Sequence, residues 1–217
     1  MAAHHVFIAG ATGYLGQRLI PQLIERGHDV AALVRAGSER KLPAGSRAVP
    51  GNALDQSTFI HRIKPADTFV QLVGVPHPGP AKAKQFRAID LVSVRASVDA
   101  AAAARVAHFV YVSVAQPAPV MKVYQEVRAQ GEAMIRASGM KATVLRPWYI
   151  LGPGHRWPYF LLPAYWLFEW FPTTRAAARR LGLVTLPQMI QALVIAVENP
   201  PNGIRVVEVP AIRRGGM

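Results

Sequence analysis

The chain has 217 residues, room for one domain with a sizeable core at about 100–200 residues per domain. Apolar residues make up 51% and charged residues 17%, below the typical charged share of about 25%, which excludes disordered, collagen-like and low-complexity classes. Cysteine is absent, so a disulfide framework, a thiol nucleophile and a thiolate metal site are excluded, and the cytoplasm is the expected compartment.

The formal charge of +13 comes from 19 Arg and 6 Lys against 12 acidic residues. The arginines are scattered from Arg18 to Arg214 rather than gathered on one stripe, so nucleic acid is not an expected partner. Residues 1–6 hold two His and no cationic stretch before a long apolar run, unlike a signal peptide. No run of 18 uncharged apolar residues occurs, so no membrane span is expected.

In chain order, HHVFIA (4–9) is a short apolar run ending in Gly10, the pattern of a buried parallel strand. From Tyr14 to Arg26, Leu15, Leu19, Leu23 and Ile24 recur at helical spacing, with Gly27 as the stop. DVAALVR (29–35) predicts a second strand, and 36–50, with Gly37, Pro43, Gly45 and Pro50, a loop. A short helix is expected over 56–63 and a third strand over 67–75. An irregular, Pro-rich stretch (76–85) precedes a long helix over 85–105. HFVYVSV (108–114) reads as a strand, 120–138 as a helix stopped by Gly139, KATVLRPWYI (141–150) as a strand and 151–158 as a loop. Residues 186–198 carry Met189, Ile190, Leu193, Val194 and Val197 on one helical side, and 203–210 reads as a last strand. Alternating strands and helices predict a single doubly wound α/β domain over residues 1–217, with a central parallel sheet and a small C-terminal helical extension.

The motif that carries chemistry is Gly10-Ala11-Thr12-Gly13-Tyr14-Leu15-Gly16, spaced G-x-x-G-x-x-G between the first strand and the first helix. There the loop from Gly10 to Gly16, with Thr12, Tyr14 and Leu15, offers backbone N–H groups and a helix dipole to a pyrophosphate. Gly10 makes the tight turn, Gly13 admits the phosphate and Gly16 lets the helix pack on the strand. The second strand ends in Val34-Arg35, with Asp29 at its wrong end for a ribose carboxylate. Arg35 instead suits a 2′-phosphate, with Ser38 and Arg40 as helpers, so NADP(H) is the preferred cofactor and NAD(H) the alternative.

These residues resemble the short-chain dehydrogenase/reductase superfamily, in its atypical NAD(P)-binding branch near the NmrA-like and epimerase-like proteins, over nearly the whole chain. GATGYLG resembles that family's cofactor loop. PGNALD (50–55) resembles its loop beside the adenine, with Asn52 in place of the first Asp and Ala53 next to it. YVSVA (111–115) resembles the strand that presents the catalytic Ser, and LRPWYILGPG (145–154) the Leu-Arg-Pro…Gly-Pro-Gly turn. The resemblance implies a Rossmann-type fold and a catalytic set of Ser113, which orients the substrate oxygen, Tyr124, which donates the proton, and Arg128, which replaces the family's Lys. Positions 124 and 128 lie one helical turn apart, so a cation is placed to steady a phenolate and to hold the ribose. An Arg is effectively never deprotonated, so a relay through a neutral partner is not available. The resemblance also places the substrate side in residues 151–217, and the short C-terminal part argues against a bulky sugar nucleotide.

WPYFLLPAYWLFEWF (157–171) holds 8 of the 18 aromatics and one charge, with Arg175, Arg179 and Arg180 beyond it. Core packing, a lid over a flat apolar substrate, and contact of 157–180 with a membrane surface all suit that composition. The seven His, His155 among them, show no ligand spacing, and no metal is expected. Three functions stay open: an NADP(H)-dependent oxidoreductase for a small apolar carbonyl or quinone, a non-catalytic NAD(P)(H)-binding sensor or accessory protein, and an interfacial protein.

Overall fold

The computed structural model describes residues 3–153 and 180–215. The predicted aromatic segment 157–171, His155, Arg175 and Arg179 lie outside the described residues. Nine strands are described: β1 (His5–Ala9), β2 (Asp29–Val34), β3 (Arg47–Pro50), β4 (Thr68–Gln71), β5 (His108–Val112), β6 (Lys141–Arg146), β7 (Tyr149–Leu151), β8 (Leu183–Thr185) and β9 (Ile204–Glu208). The helices are α1 (Gly16–Glu25), α2 (Ala83–Gln85), α3 (Val92–Ala103), α4 (Lys122–Ala137), α5 (Leu186–Glu198) and α6 (Val209–Arg213). Seven strands pair in parallel in the order β3-β2-β1-β4-β5-β6-β9, and β7 and β8 form a separate parallel pair.

Alternation along each strand sends successive side chains to opposite faces. Val6, Ile8, Val30, Ala32, Val70 and Val110 pack with Leu19, Ile20 and Leu23 of α1 and Met189, Leu193 and Val197 of α5. Phe7, Ala31, Leu33, Phe69, Phe109 and Tyr111 pack instead with Val94, Val98 and Ala101 of α3 and Ile135 of α4. Both faces are therefore covered, as the near-continuous apolar strand sequences require.

Four expectations shift. Residues 47–50 are the edge strand β3, not loop: only Val49 is buried, so no apolar run marks it, and Pro50 closes it where an edge tolerates Pro. The helix expected over 56–63 is two 3-10 turns, Gln56–Thr58 and Ile60–Arg62, the first capped by Asp55 accepting from the Ser57 N–H. The strand expected over 141–150 breaks at Pro147, whose carbonyl accepts from the Ala115 N–H, and the remainder becomes β7. The long helix starts at Ala83 and winds as a π-helix over Phe86–Leu91, which buries Phe86 and Asp90.

His108 sits in the middle of the sheet, 1% exposed, with Nε2 against Thr143 Oγ1 at 3.1 Å. Burial first, then the Arg205 charge, pushes its pKa down to about 4, while Asp67 opposes. The folded state then binds fewer protons than the unfolded state between about pH 6.5 and 4, so stability falls as pH drops through that window. Urea unfolding at pH 7 and pH 4.5 should show wild type losing roughly 2–3 kcal/mol more than His108→Gln. Equal losses would remove His108 from the account of acid sensitivity.

Candidate nucleotide and active site

The chain reverses direction in the sheet between β1 and β4, the switch point where doubly wound sheets bind ligands. Gly10 leaves β1 with φ +89, and a Cβ there would lie 2.8 Å from the Leu72 carbonyl carbon just after β4. The Gly13 N–H donates to Gly10 O at 3.0 Å, closing the loop. A Cβ on Gly16 would strike the Gly10 and Ala11 carbonyl oxygens, so only glycine lets α1 start this close to β1. A Cβ on Gly13 would meet only Gly10 O, at 3.1 Å, leaving the other side of the loop open. α1 has no side-chain cap and no acidic residue in its first turn, so the positive end of its dipole is left for an anion. These features fit a pyrophosphate.

A cavity of about 510 Å³ opens on this loop. Gly10, Gly13, Tyr14 and Leu15 line it, together with the predicted Ser113, Tyr124 and Arg128. Thr12 and Gly16 belong to the loop without lining the cavity, Gly16 being buried against β1. Arg35, Asn52 and Ala53 also lie outside its lining. Arg35 is exposed directly after β2, and its guanidinium has no partner among the described residues. Ser38 closes a turn on Arg35, its N–H donating to Arg35 O at 3.0 Å, and Arg40 is exposed in the 3-10 turn Glu39–Lys41. Asn52 holds its own turn, its Oδ1 accepting from the Leu54 N–H at 3.0 Å.

Tyr124 lies in the first turn of α4, its ring centroid 4.9 Å from that of Phe86 and 5.0 Å from the Arg128 guanidinium carbon. Its hydroxyl has no hydrogen-bond partner among the described residues. Arg128 is 6% exposed and already engaged: Nη2 pairs with Asp90 Oδ1 at 2.5 Å and Nη1 donates to Val112 O at 3.0 Å. Burial pulls its pKa down, but Tyr124, Tyr111 and Asp90 outweigh that and raise it, so the guanidinium is a fixed cation. Asp90 also accepts from the Val75 N–H at 3.1 Å, tying the π-helical stretch to the loop after β4. A Cβ on Gly74 would come within 2.5 Å of Arg128 Nη2, so glycine is what leaves room for the pair.

Ser113 follows β5 and is 2% exposed. Its hydroxyl donates to Glu132 Oε1 at 2.7 Å. Glu132, itself 1% exposed, also accepts from Gln116 Nε2 at 3.0 Å, Arg146 Nε at 2.9 Å, Arg146 Nη2 at 2.5 Å and Arg136 Nη2 at 3.0 Å. Burial alone would raise its pKa; the Arg146 and Ser113 hydrogen bonds and the arginine charges hold it below the usual carboxylate range. Asp90 and Glu132 were not marked by any local motif. Each is one of two acids in a helical stretch otherwise rich in Ala, Val and Arg, beside Asp99 and Glu126, so nothing local singles it out.

A family model described as NAD(P)H-binding matches residues 10–156. The ceramide reductase of Caulobacter vibrioides is 30% identical over 160 residues, 69% of this chain and 47% of that protein. The 4-hydroxy-2-methyl-3-oxo-4-farnesyl-3,4-dihydroquinoline-1-oxide ketoreductase of Stigmatella aurantiaca is 25% identical over 168 residues, 67% of this chain and 50% of that protein. The chain thus spans about half the length of these curated relatives. The crystal structure of the Bordetella bronchiseptica enzyme WbmH in complex with NAD+ is similar in fold, with a TM-score of 0.70 at 20% identity, covering 94% of this chain and 75% of that one. Sheet order, glycine loop and family match agree: the chain belongs to the NAD(P)H-binding family and has a Rossmann-type fold.

Proposed function

We propose that the chain is an NADP(H)-dependent oxidoreductase that reduces a small apolar carbonyl or quinone, with residues 1–217 forming one nucleotide-binding domain and 151–217 its substrate side. The observation that carries this reading is one cavity uniting the glycine loop with Tyr124 and Ser113 between apolar walls of Leu72, Val75, Val114, Trp148 and Ile150. Both curated relatives above are named reductases, one of ceramide and one of a farnesyl-bearing ketone. A bound nicotinamide supplies the hydride. Tyr124 donates its phenolic proton to the carbonyl oxygen, and the fixed cation of Arg128, 5.0 Å from the ring, favours the phenolate left behind. Arg128 does so through space: Nη2 pairs with Asp90, Nη1 donates to Val112 O, and no hydrogen bond joins it to Tyr124 among the described residues. The walls keep water from the reacting carbon.

At the other end of the nucleotide, Arg35 supplies the unpartnered guanidinium for a 2′-phosphate, with Ser38 and Arg40 beside it in sequence. A bidentate pair of that kind discriminates between phosphate and hydroxyl by charge as well as geometry.

A second reading, a nucleotide-binding sensor or accessory protein, draws on the same geometry. Arg128 is committed to Asp90 and the Ser113 proton to Glu132, so the nucleotide cavity stands complete without the family's usual relay.

Two measurements test the reading. Tyr124→Phe removes a hydroxyl and keeps the ring beside Phe86 and Arg128, so NADPH binding should hold while turnover on a carbonyl and quinone panel falls by roughly 10²–10⁴. Turnover indifferent to the change would remove Tyr124 as proton donor, and tight NADPH binding with no turnover in wild type would favour the sensor. Arg35→Ala should weaken NADPH by about tenfold or more and leave NADH nearly unchanged in calorimetry. Equal losses for both nucleotides would show that Arg35 does not read the 2′-phosphate.

A further inference from the structure

Ser113 Oγ lies 2.7 Å from Glu132 Oε1. A carboxylate accepts and cannot donate, and Glu132 is kept ionised by the two arginines that bind it. The 2.7 Å contact between Ser113 and Glu132 therefore has one possible direction, with the serine as donor. Four further hydrogen bonds converge on the same carboxylate, so its position is set from α4, β6 and the loop after β5 together. No donor among the described residues reaches Ser113 Oγ. Ser113 nonetheless lines the cavity beside Gly74, Val112 and Tyr124. With that proton given to Glu132, Ser113 Oγ keeps lone pairs and no proton for a further partner.

We propose that Ser113 is a hydrogen-bond acceptor for an N–H or O–H group of the bound ligand, and not a donor to a carbonyl oxygen. The inference rests on the nucleotide-and-carbonyl reading of this cavity and deepens it. The hydroxyls of Tyr124 and Ser113 then have opposite polarity: Tyr124 has a proton to give, and Ser113 has only lone pairs. Two ligand groups have the matching chemistry: the carboxamide N–H₂ of a nicotinamide, and a hydroxyl next to the reacting carbonyl of a substrate. In the second case the substrate class narrows to hydroxylated carbonyls. A carbonyl oxygen placed at Ser113 would face lone pairs and lose its hydrogen bond on leaving water, which a buried polar group pays for in affinity.

The test compares ligand pairs that differ by one donor. The first is NADP+ and its 3-acetylpyridine analogue, in which a methyl ketone keeps the carbonyl and removes the N–H₂. The second, with NADP+ bound, is 2-hydroxyacetophenone and 2-methoxyacetophenone. Calorimetry on wild type should show the donor-bearing member of one pair binding several-fold to about tenfold tighter. Ser113→Ala should abolish that gap by weakening only the donor-bearing member, and Ser113→Thr, which keeps the oxygen, should retain it. A gap in the first pair assigns the donor to the nicotinamide, and a gap in the second assigns it to the substrate. If Ser113→Ala weakens both members of a pair equally, the serine donates to the carbonyl they share and the proposal fails. It fails too if neither pair shows a gap that depends on Ser113. A Ser113-dependent gap in a protein that turns over no carbonyl would overturn the reductase reading alone.

Discussion

The buried carboxylate of Glu132 is the constraint on which the site depends. An ionised carboxyl is tolerated at 1% exposure only when its oxygens are filled, and here five donors fill them. They come from the loop after β5, from α4 itself and from the end of β6. Arg146 carries the network one strand further, with Nη1 on Glu208 Oε1 at 2.9 Å at the end of β9. Three neighbouring strand ends and the helix above them are thereby locked at the edge of the cavity. Removing one partner of such a pair costs about 3–5 kcal/mol, because the other is left buried and uncompensated. That penalty gives the site walls a single arrangement.

Asp90 and Arg128 repeat the device on the other side of the cavity. The π-helical stretch brings Asp90 inward, Gly74 leaves space for the guanidinium, and Gly131 leaves space for Tyr111, whose hydroxyl a Cβ would approach to 2.7 Å. The pair fixes a cation over the Tyr124 ring, against which Phe86 also packs. Both ion pairs have the same consequence for chemistry. They tie Arg128 to Asp90 and Ser113 and Arg146 to Glu132, so side chains at the cavity are held by buried partners.

The resulting site divides into two parts of different physics. The phosphate end is made of backbone, with glycines that cannot be replaced for lack of space and a helix terminus left uncapped. The end beside Tyr124 is made of side chains, of which Ser113 and Arg128 are held by buried neighbours. The first part needs only a strand, a turn and a helix in succession. The second needs four elements brought from distant parts of the chain.

That difference explains what was legible in the residues alone. The glycine loop, the two-faced apolar strands and the helix over 186–198 could be read directly, because strand period, helix period and steric need for glycine are local properties. So could the candidate set of Ser113, Tyr124 and Arg128, by resemblance, and the fold does bring the three to one cavity. Edge strand β3 was not legible, because a strand with one buried residue carries no apolar pattern. The direction of the Ser113 hydroxyl and the commitment of Arg128 were not legible either. Sequence determined which residues stand at the ends of the strands. Only the tertiary structure decided where their protons and charges point, because the partners at 113, 132, 146 and 208, and at 90 and 128, meet through burial and pairing that no local spacing records.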